Sequence, residues 1–199
     1  MKKSIIIFLL ISIHNFVLAQ TTTPNWGSFQ FDTNERNVTW VKVFDIEPNL
    51  KLKDLKGFFI ENNLVEFQSE DSLSLIGVFK KRSIDIQKYG YKRGYTPMVL
   101  LDNEQVSNVK IEYKEAKYRV TLTNLGYIDN GVISDIFMKG MIGQNAPTSK
   151  GNFVSYSGDV TFNKKNEVRT SYSMVYEILE KFYSDMFTYK KPSNKIDNW

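Results

Sequence analysis

The chain has 199 residues, of which 42% are hydrophobic and 24% are charged, as in an ordinary folded domain and unlike a disordered or membrane-embedded chain. It contains no cysteine and one histidine, His14. A cysteine nucleophile, a disulfide and a cysteine-ligated zinc site are therefore excluded, because each of them requires a thiolate.

The first twenty residues have the three parts of a secretory signal peptide. Lys2 and Lys3 precede an apolar run over 5–13, and the small residue Ala19 follows at the expected cleavage site. We expect cleavage after Ala19 and an exported product, periplasmic or secreted. We expect no membrane anchor, because His14 interrupts a run shorter than the roughly 20 apolar residues that a bilayer requires.

Loss of this segment also removes His14, which excludes histidine-dependent catalysis in the exported protein. It removes two lysines, so 24 basic residues remain against 22 acidic ones. This excess is too small to predict a nucleic-acid partner.

Hydrophobic periodicity divides the rest of the chain into strands and helices. Alternating β-branched and aromatic residues predict strands, and apolar residues at spacings of three and four predict amphipathic helices. In chain order, the predicted elements are an extended arm over 20–36, a strand over 37–46, a helix over 51–62, a hairpin over 64–68 and 73–86, a short extra strand over 98–101, a hairpin over 105–113 and 117–124, a strand over 152–163, a helix over 170–189 and a tail over 191–199.

The order β-α-β-β-β-β-α predicts one α+β domain over 37–190, in which a curved antiparallel sheet packs against a long C-terminal helix. Two segments interrupt the periodic pattern. Residues 87–97 carry two glycines and a proline and are predicted to form an exposed loop. Residues 125–150 are glycine-rich and long for a plain connection, so they predict an insertion.

The strand and helix over 38–62, the strand over 76–81, the hairpin over 109–124 and the aromatic helix at the end resemble a domain family of exported proteins from the Bacteroidota. That family is described as a domain of unknown function with a TBP-like fold, similar to that of the TATA-binding protein. The resemblance covers about 38–125 and 170–189. It implies the fold and an envelope location, and it implies no activity.

Cations and tyrosines alternate within the exposed loop, which we call the basic-tyrosine loop. Tyrosine rings can stack on sugars, while lysine and arginine pair with phosphates or carboxylates. The loop is therefore a candidate surface for an anionic glycan or a lipid headgroup. A solvated loop whose tyrosines fold back on the sheet explains the same pattern. The candidate residues are Lys88, Tyr89, Tyr91, Lys92, Arg93 and Tyr95.

Carboxylates are the remaining acid-base groups of conventional strength. A glycoside hydrolase requires two of them facing each other in a cleft. The spacing of the available acids predicts no such pair, so we expect no catalytic residue, no metal and no cofactor. A carboxylate-dependent hydrolase remains the least favoured alternative. The acids considered are Glu61, Glu66, Glu70, Asp71, Asp102, Glu104, Asp129 and Asp135.

The sequence thus predicts a non-catalytic, exported binding or interaction module of the bacterial envelope, acting through the basic-tyrosine loop or the sheet face. The alternative is a carrier that holds an apolar small molecule or a lipid between the sheet and the long helix. In that case Met138, Met141 and Ile142 would form an adaptable apolar flap over the cavity.

Overall fold

Residues 24–131 and 151–191 are described by this structure, a computed structural model. Seven strands in this part of the chain form one antiparallel sheet. The strands are β1 (Phe29–Asp32), β2 (Asn37–Asp45), β3 (Val65–Glu70), β4 (Ser74–Arg82), β5 (Asn103–Lys114), β6 (Lys117–Asp129) and β7 (Phe153–Tyr156). The helices are α1 (Leu52–Glu61), α2 (Met98–Leu101), α3 (Ser157–Thr161) and α4 (Ser173–Phe187). Short 3₁₀ turns occupy Ile86–Tyr89, Arg93–Tyr95 and Thr170–Tyr172.

The strands lie side by side in the order β1-β2-β6-β5-β4-β3, and β7 pairs with the end of β6 beyond β2. The sheet is open, since β1 and β3 end it on opposite sides. Among the described residues, no helix is both long enough and apolar enough to cross a bilayer.

One row of paired residues shows how alternation builds the covered face of the sheet. Trp40 pairs with Leu122, Leu122 with Val109, and Val109 with Gly77. The three large side chains are at most 1% exposed. Because successive side chains of a strand point to opposite faces, the next row, which contains Thr121 and Lys110, lies on the outer face.

Helices α1 and α4 cover the inner face. The rings of Trp40 and Tyr183 lie 5.6 Å apart, and those of Phe59 and Phe187 lie 5.7 Å apart. The prediction of an α+β fold with a curved antiparallel sheet against a C-terminal helix is confirmed. The buried stripe of α4 consists of Val175, Tyr176, Ile178, Leu179, Phe182, Tyr183 and Phe187.

The predicted order of elements was incomplete or wrong in three places. The N-terminal arm contains β1, which pairs with β2. Residues 98–101 form α2 and not a strand, because a run of four apolar residues does not distinguish the two. Residues 152–163 are a strand only in β7, after which the chain turns into α3.

Strand β6 runs past its predicted end at Asn124. This residue has a φ of 51° and sits where the pairing with β5 shifts. Leu122 is buried before this shift, and Leu125 and Tyr127 are buried after it. The buried side chains therefore move from even to odd positions, which breaks the two-residue period of the strand. The predicted insertion therefore does not begin at Leu125. Residues 132–150 of the predicted insertion, including the flap residues, lie outside the described residues.

Candidate functional site: a basic notch at the end of helix α4

The basic-tyrosine loop lies against α4. Asp85 precedes the loop and caps the 3₁₀ turn Ile86–Tyr89 by accepting hydrogen bonds from the backbone N–H groups of Gln87 and Lys88. The Lys88 ammonium donates to Asp185 on α4, and the Tyr89 hydroxyl donates to the same carboxylate over 3.3 Å. Burial, and then the charge of Asp185, raise the pKa of Tyr89 well above its usual value, so its hydroxyl remains a neutral donor.

Tyr91 makes a second contact with the same helix. Its hydroxyl donates to Glu177 over 2.5 Å and accepts a hydrogen bond from Lys181 over 2.9 Å. Burial and the Glu177 contact raise the pKa of Tyr91, while Lys181 opposes them. The Lys181 ammonium also lies 4.7 Å from the centre of the tyrosine ring, a cation–π distance.

The structure therefore brings together three of the predicted site residues, Lys88, Tyr89 and Tyr91, and uses them to fasten the loop to α4. The other three lie at the exposed end of the loop, where the Tyr95 side chain is 80% exposed. The binding role of these six residues stays a prediction. The three at the exposed end are Lys92, Arg93 and Tyr95.

Lys88 also lines a depression of about 470 Å³ at the C-terminal end of α4. We call this depression the basic notch. Its charged lining is four cations and two carboxylates, an excess of two positive charges. The charged residues are Arg82, Lys88, Lys190, Lys191, Glu61 and Asp185, and the apolar wall is made of Phe58, Leu64 and Met186.

Different elements carry the cations into the notch. Arg82 is the last residue of β4, and its Nη2 donates to the carbonyl oxygens of Asn62 and Asn63 over 2.8 and 3.0 Å. Lys190 and Lys191 follow the last turn of α4. Unpaired carbonyl groups make that end of a helix partly negative, which favours cations there.

Asp185 is the internal counter-ion of the notch. Lys190 donates to its Oδ1 over 2.8 Å, and Lys88 donates to its Oδ2. Burial raises the pKa of Asp185, but the two lysines outweigh this effect and hold it below the usual value. Each ammonium has three N–H donors and gives one to Asp185, so each has donors left for a further anion.

Lys191 is held only weakly. Its ammonium lies 3.5 Å from Glu47, and the two side chains are 72% and 67% exposed. Such an exposed pair contributes at most about 1 kcal/mol. An incoming carboxylate or phosphate would thus compete with a weak contact and form charge-assisted hydrogen bonds.

Sequence reasoning identified only Lys88 among the cations of the notch. Arg82, Lys190 and Lys191 reach it from β4 and from the end of α4, which only the fold brings together. A sequence signal exists in the basic run over 80–82 and in the lysine pair after the last helix. Neither feature differs by itself from an ordinary solvated charge.

Among the carboxylates considered for catalysis, Asp102 and Asp129 lie close enough to interact, whereas Asp71 stabilises a turn. Asp71 closes the β3–β4 turn by accepting hydrogen bonds from Leu73 and Ser74. Burial raises the pKa of Asp102; Arg93 lowers it and Asp129 raises it further. Within the described ranges, no group of three or more acidic or histidine side chains could hold a metal ion. Asp135 lies outside those ranges.

No protein-family model and no curated protein matches the chain. Two solved structures match it over most of its length. A DUF4468 family protein from Bacteroides ovatus has 12% identity and a TM-score of 0.44, covering 81% of this chain and 86% of that one. A TBP-like protein from Parabacteroides distasonis has 11% identity and a TM-score of 0.39, covering 76% and 91%. Their names agree with the resemblance identified in the sequence, and neither name states an activity.

Proposed function

We propose that the protein is a non-catalytic binding module of the bacterial envelope and that its basic notch holds a carboxylate or phosphate group of the partner. The observation that carries this proposal is the convergence of Arg82, Lys88 and Lys190 on one depression. Export to the periplasm or beyond is part of the same proposal, and the signal-like segment over 1–19 supports it.

The lining of the notch fits an anionic group attached to a larger molecule. Arginine presents a planar fork that matches carboxylates and phosphates, and lysine adds mobile point charges. The side chains of Phe58 and Met186 stand beside these cations and offer apolar contact to the rest of the partner. An anionic glycan and a lipid headgroup share this chemistry.

The carrier alternative has less support. In the described part of the chain, aromatic side chains occupy the space between α4 and the sheet, and their ring centres lie within 6.0 Å of one another in successive pairs. These side chains are at most 2% exposed. The rings are those of Trp40, Phe79, Tyr183 and Phe187.

The test measures binding of the purified protein to two anionic probes. One arm uses phosphatidylcholine vesicles with or without phosphatidylglycerol, and the other uses soluble polygalacturonate. The notch variant replaces Arg82, Lys190 and Lys191 with glutamine. The matched control variant also carries three replacements by glutamine, at Lys110, Lys114 and Lys117. It therefore loses the same amount of positive charge, but from the β5–β6 hairpin.

We expect one probe to bind and the notch variant to lose roughly tenfold or more in affinity, while the control retains most of it. The arm that binds identifies the source of the anion. Equal losses in the two variants would show general charge attraction and overturn the proposal, as would failure of both probes. Thermal unfolding of each variant establishes that the fold is retained.

A further inference from the structure

A second depression, of about 480 Å³, lies between the β1–β2 turn, strand β6 and helix α3. We call it the polar cleft. Its size is within the roughly 300–1,000 Å³ of small-molecule sites. An aromatic ring, two amides, two carboxylates and one guanidinium line it. These side chains belong to Tyr156, Asn37, Asn124, Glu35, Asp159 and Arg36.

One residue of this cleft has an unfavourable backbone. Arg36 has a φ of 50°, in the left-handed region that side chains other than glycine seldom adopt, whereas Asn124, with a φ of 51°, is of a residue type that adopts this region readily. The Arg36 guanidinium is fixed by donating to the carbonyl of Asn163 over 2.9 Å and to the side chain of Asn166 over 2.7 Å.

Helix α3 approaches this strained backbone as closely as a glycine permits. A Cβ added at Gly158 would lie 1.9 Å from the carbonyl oxygen of Arg36. Only glycine therefore fits, and the wall of the cleft at this point is bare backbone. Any larger residue would push α3 away and open the cleft.

The Tyr156 ring is exposed and yet held in position. It is 51% exposed, and its ring centre lies 4.7 Å from that of Phe153. Its backbone N–H donates to Asp159 over 3.2 Å, which fixes the start of α3. An exposed aromatic side chain that is already ordered loses little conformational entropy when a ligand stacks on it.

Uncharged sugars match this combination of groups. The C–H face of a pyranose ring stacks on an aromatic face, while its hydroxyl groups donate to carboxylates and accept from amides. The carboxylates of Glu35 and Asp159 outnumber the Arg36 guanidinium, which already donates to Asn163 and Asn166. The cleft therefore has a net negative charge that disfavours an anion, unlike the basic notch. We propose that the polar cleft binds an uncharged sugar unit, with Tyr156 as its stacking platform.

The test titrates the protein with glucose, N-acetylglucosamine, cellobiose and chitobiose by calorimetry. Tyr156→Ala removes the platform, and Tyr156→Phe keeps the ring. Ile60→Ala is the matched control, because Ile60 is another large exposed side chain, lies on α1 and does not line the cleft. Each variant is first compared with the wild type by thermal unfolding, so that a loss of binding is read on folded protein.

We expect at least one of these saccharides to bind, and Tyr156→Ala to weaken it about tenfold or more. Tyr156→Phe and Ile60→Ala should leave the affinity within about twofold of the wild type. Binding that survives Tyr156→Ala, or that is lost in Ile60→Ala, would overturn the proposal. So would the absence of binding by all four sugars.

Discussion

Trp40 donates a hydrogen bond from its indole Nε1 to Oε2 of Glu180 over 2.7 Å, and this bond links the second strand to the last helix. The same carboxylate accepts from the backbone N–H of Ser28 over 3.0 Å and from the ammonium of Lys42 over 2.8 Å. One side chain of α4 thus holds β2 and the segment before β1.

Replacement of Glu180 by alanine should destabilise the protein by roughly 2–3 kcal/mol, because it leaves the Trp40 N–H and the Lys42 ammonium without their charged acceptor. Urea unfolding at neutral pH measures the loss. Glu177→Ala, on the same helix but 60% exposed, should cost less than about 1 kcal/mol. Similar losses in the two variants would contradict the central role of Glu180.

The Glu180 carboxylate should also make the stability of the fold depend on pH, with a loss of stability in acid. Burial raises the pKa of Glu180, but hydrogen bonds from Lys42, Ser28 and Trp40 outweigh it and bring the pKa below the ordinary value of 4.5. A carboxyl whose pKa is lower in the folded state stabilises the fold above the unfolded value and loses that contribution as the pH falls through the folded value. The melting temperature should therefore drop below about pH 4.5, and less steeply in Glu180→Gln. Parallel curves for the two proteins would refute this.

Substitution by alanine should have opposite effects on the free energy of unfolding at two glycines. A Cβ at Gly77 would lie 2.3 Å from the carbonyl oxygen of Glu66 on the neighbouring strand, so Gly77→Ala should cost roughly 2–3 kcal/mol. Gly57 lies in α1 with nothing within 4 Å of an added Cβ, so Gly57→Ala should add roughly 0.5–1 kcal/mol. Denaturant unfolding of both variants checks the pair, and a loss in Gly57→Ala would contradict the open space around α1.

Removal of the carboxylate in the basic notch should strengthen the binding of an anion. Asp185→Asn removes the counter-ion of Lys88 and Lys190, so the anionic probe that binds the wild type should bind about fivefold more tightly at low salt. The gain should shrink as salt screens the charges. Glu177→Gln, which removes one charge elsewhere on α4, should leave the affinity unchanged; an equal gain there would mean that only net charge matters.

Much of the fold was predictable where one physical pattern acts alone. Alternation placed β2 within one residue of its observed end, and the apolar stripe of α4 follows from the 3.6-residue helical repeat. The end of β6 was missed because the bulge at Asn124 reverses the alternation. Helix α2 was missed because four residues are too few to show a period.

The candidate site was only partly predictable. Lys88 stood out because cations and tyrosines are clustered around it in the sequence. Its acidic partner Asp185 is 97 positions away in the sequence, and its neighbour Lys190 is further still. Local sequence carries no information about contacts between such distant residues. The polar cleft has no linear signal at all, because its residues come from the β1–β2 turn, a strand bulge and a short helix.

The contact between Ser28 and Glu180 joins residues that are 152 positions apart in the chain. A contact of this kind requires a long loop to close before it contributes any free energy, which slows folding. Until α4 has been synthesised, Trp40 lacks the rings of Tyr183 and Phe187 that pack on it in the complete fold. The chain therefore completes its fold late, after the ribosome has made the last helix, and a partly made chain exposes an apolar sheet to chaperones.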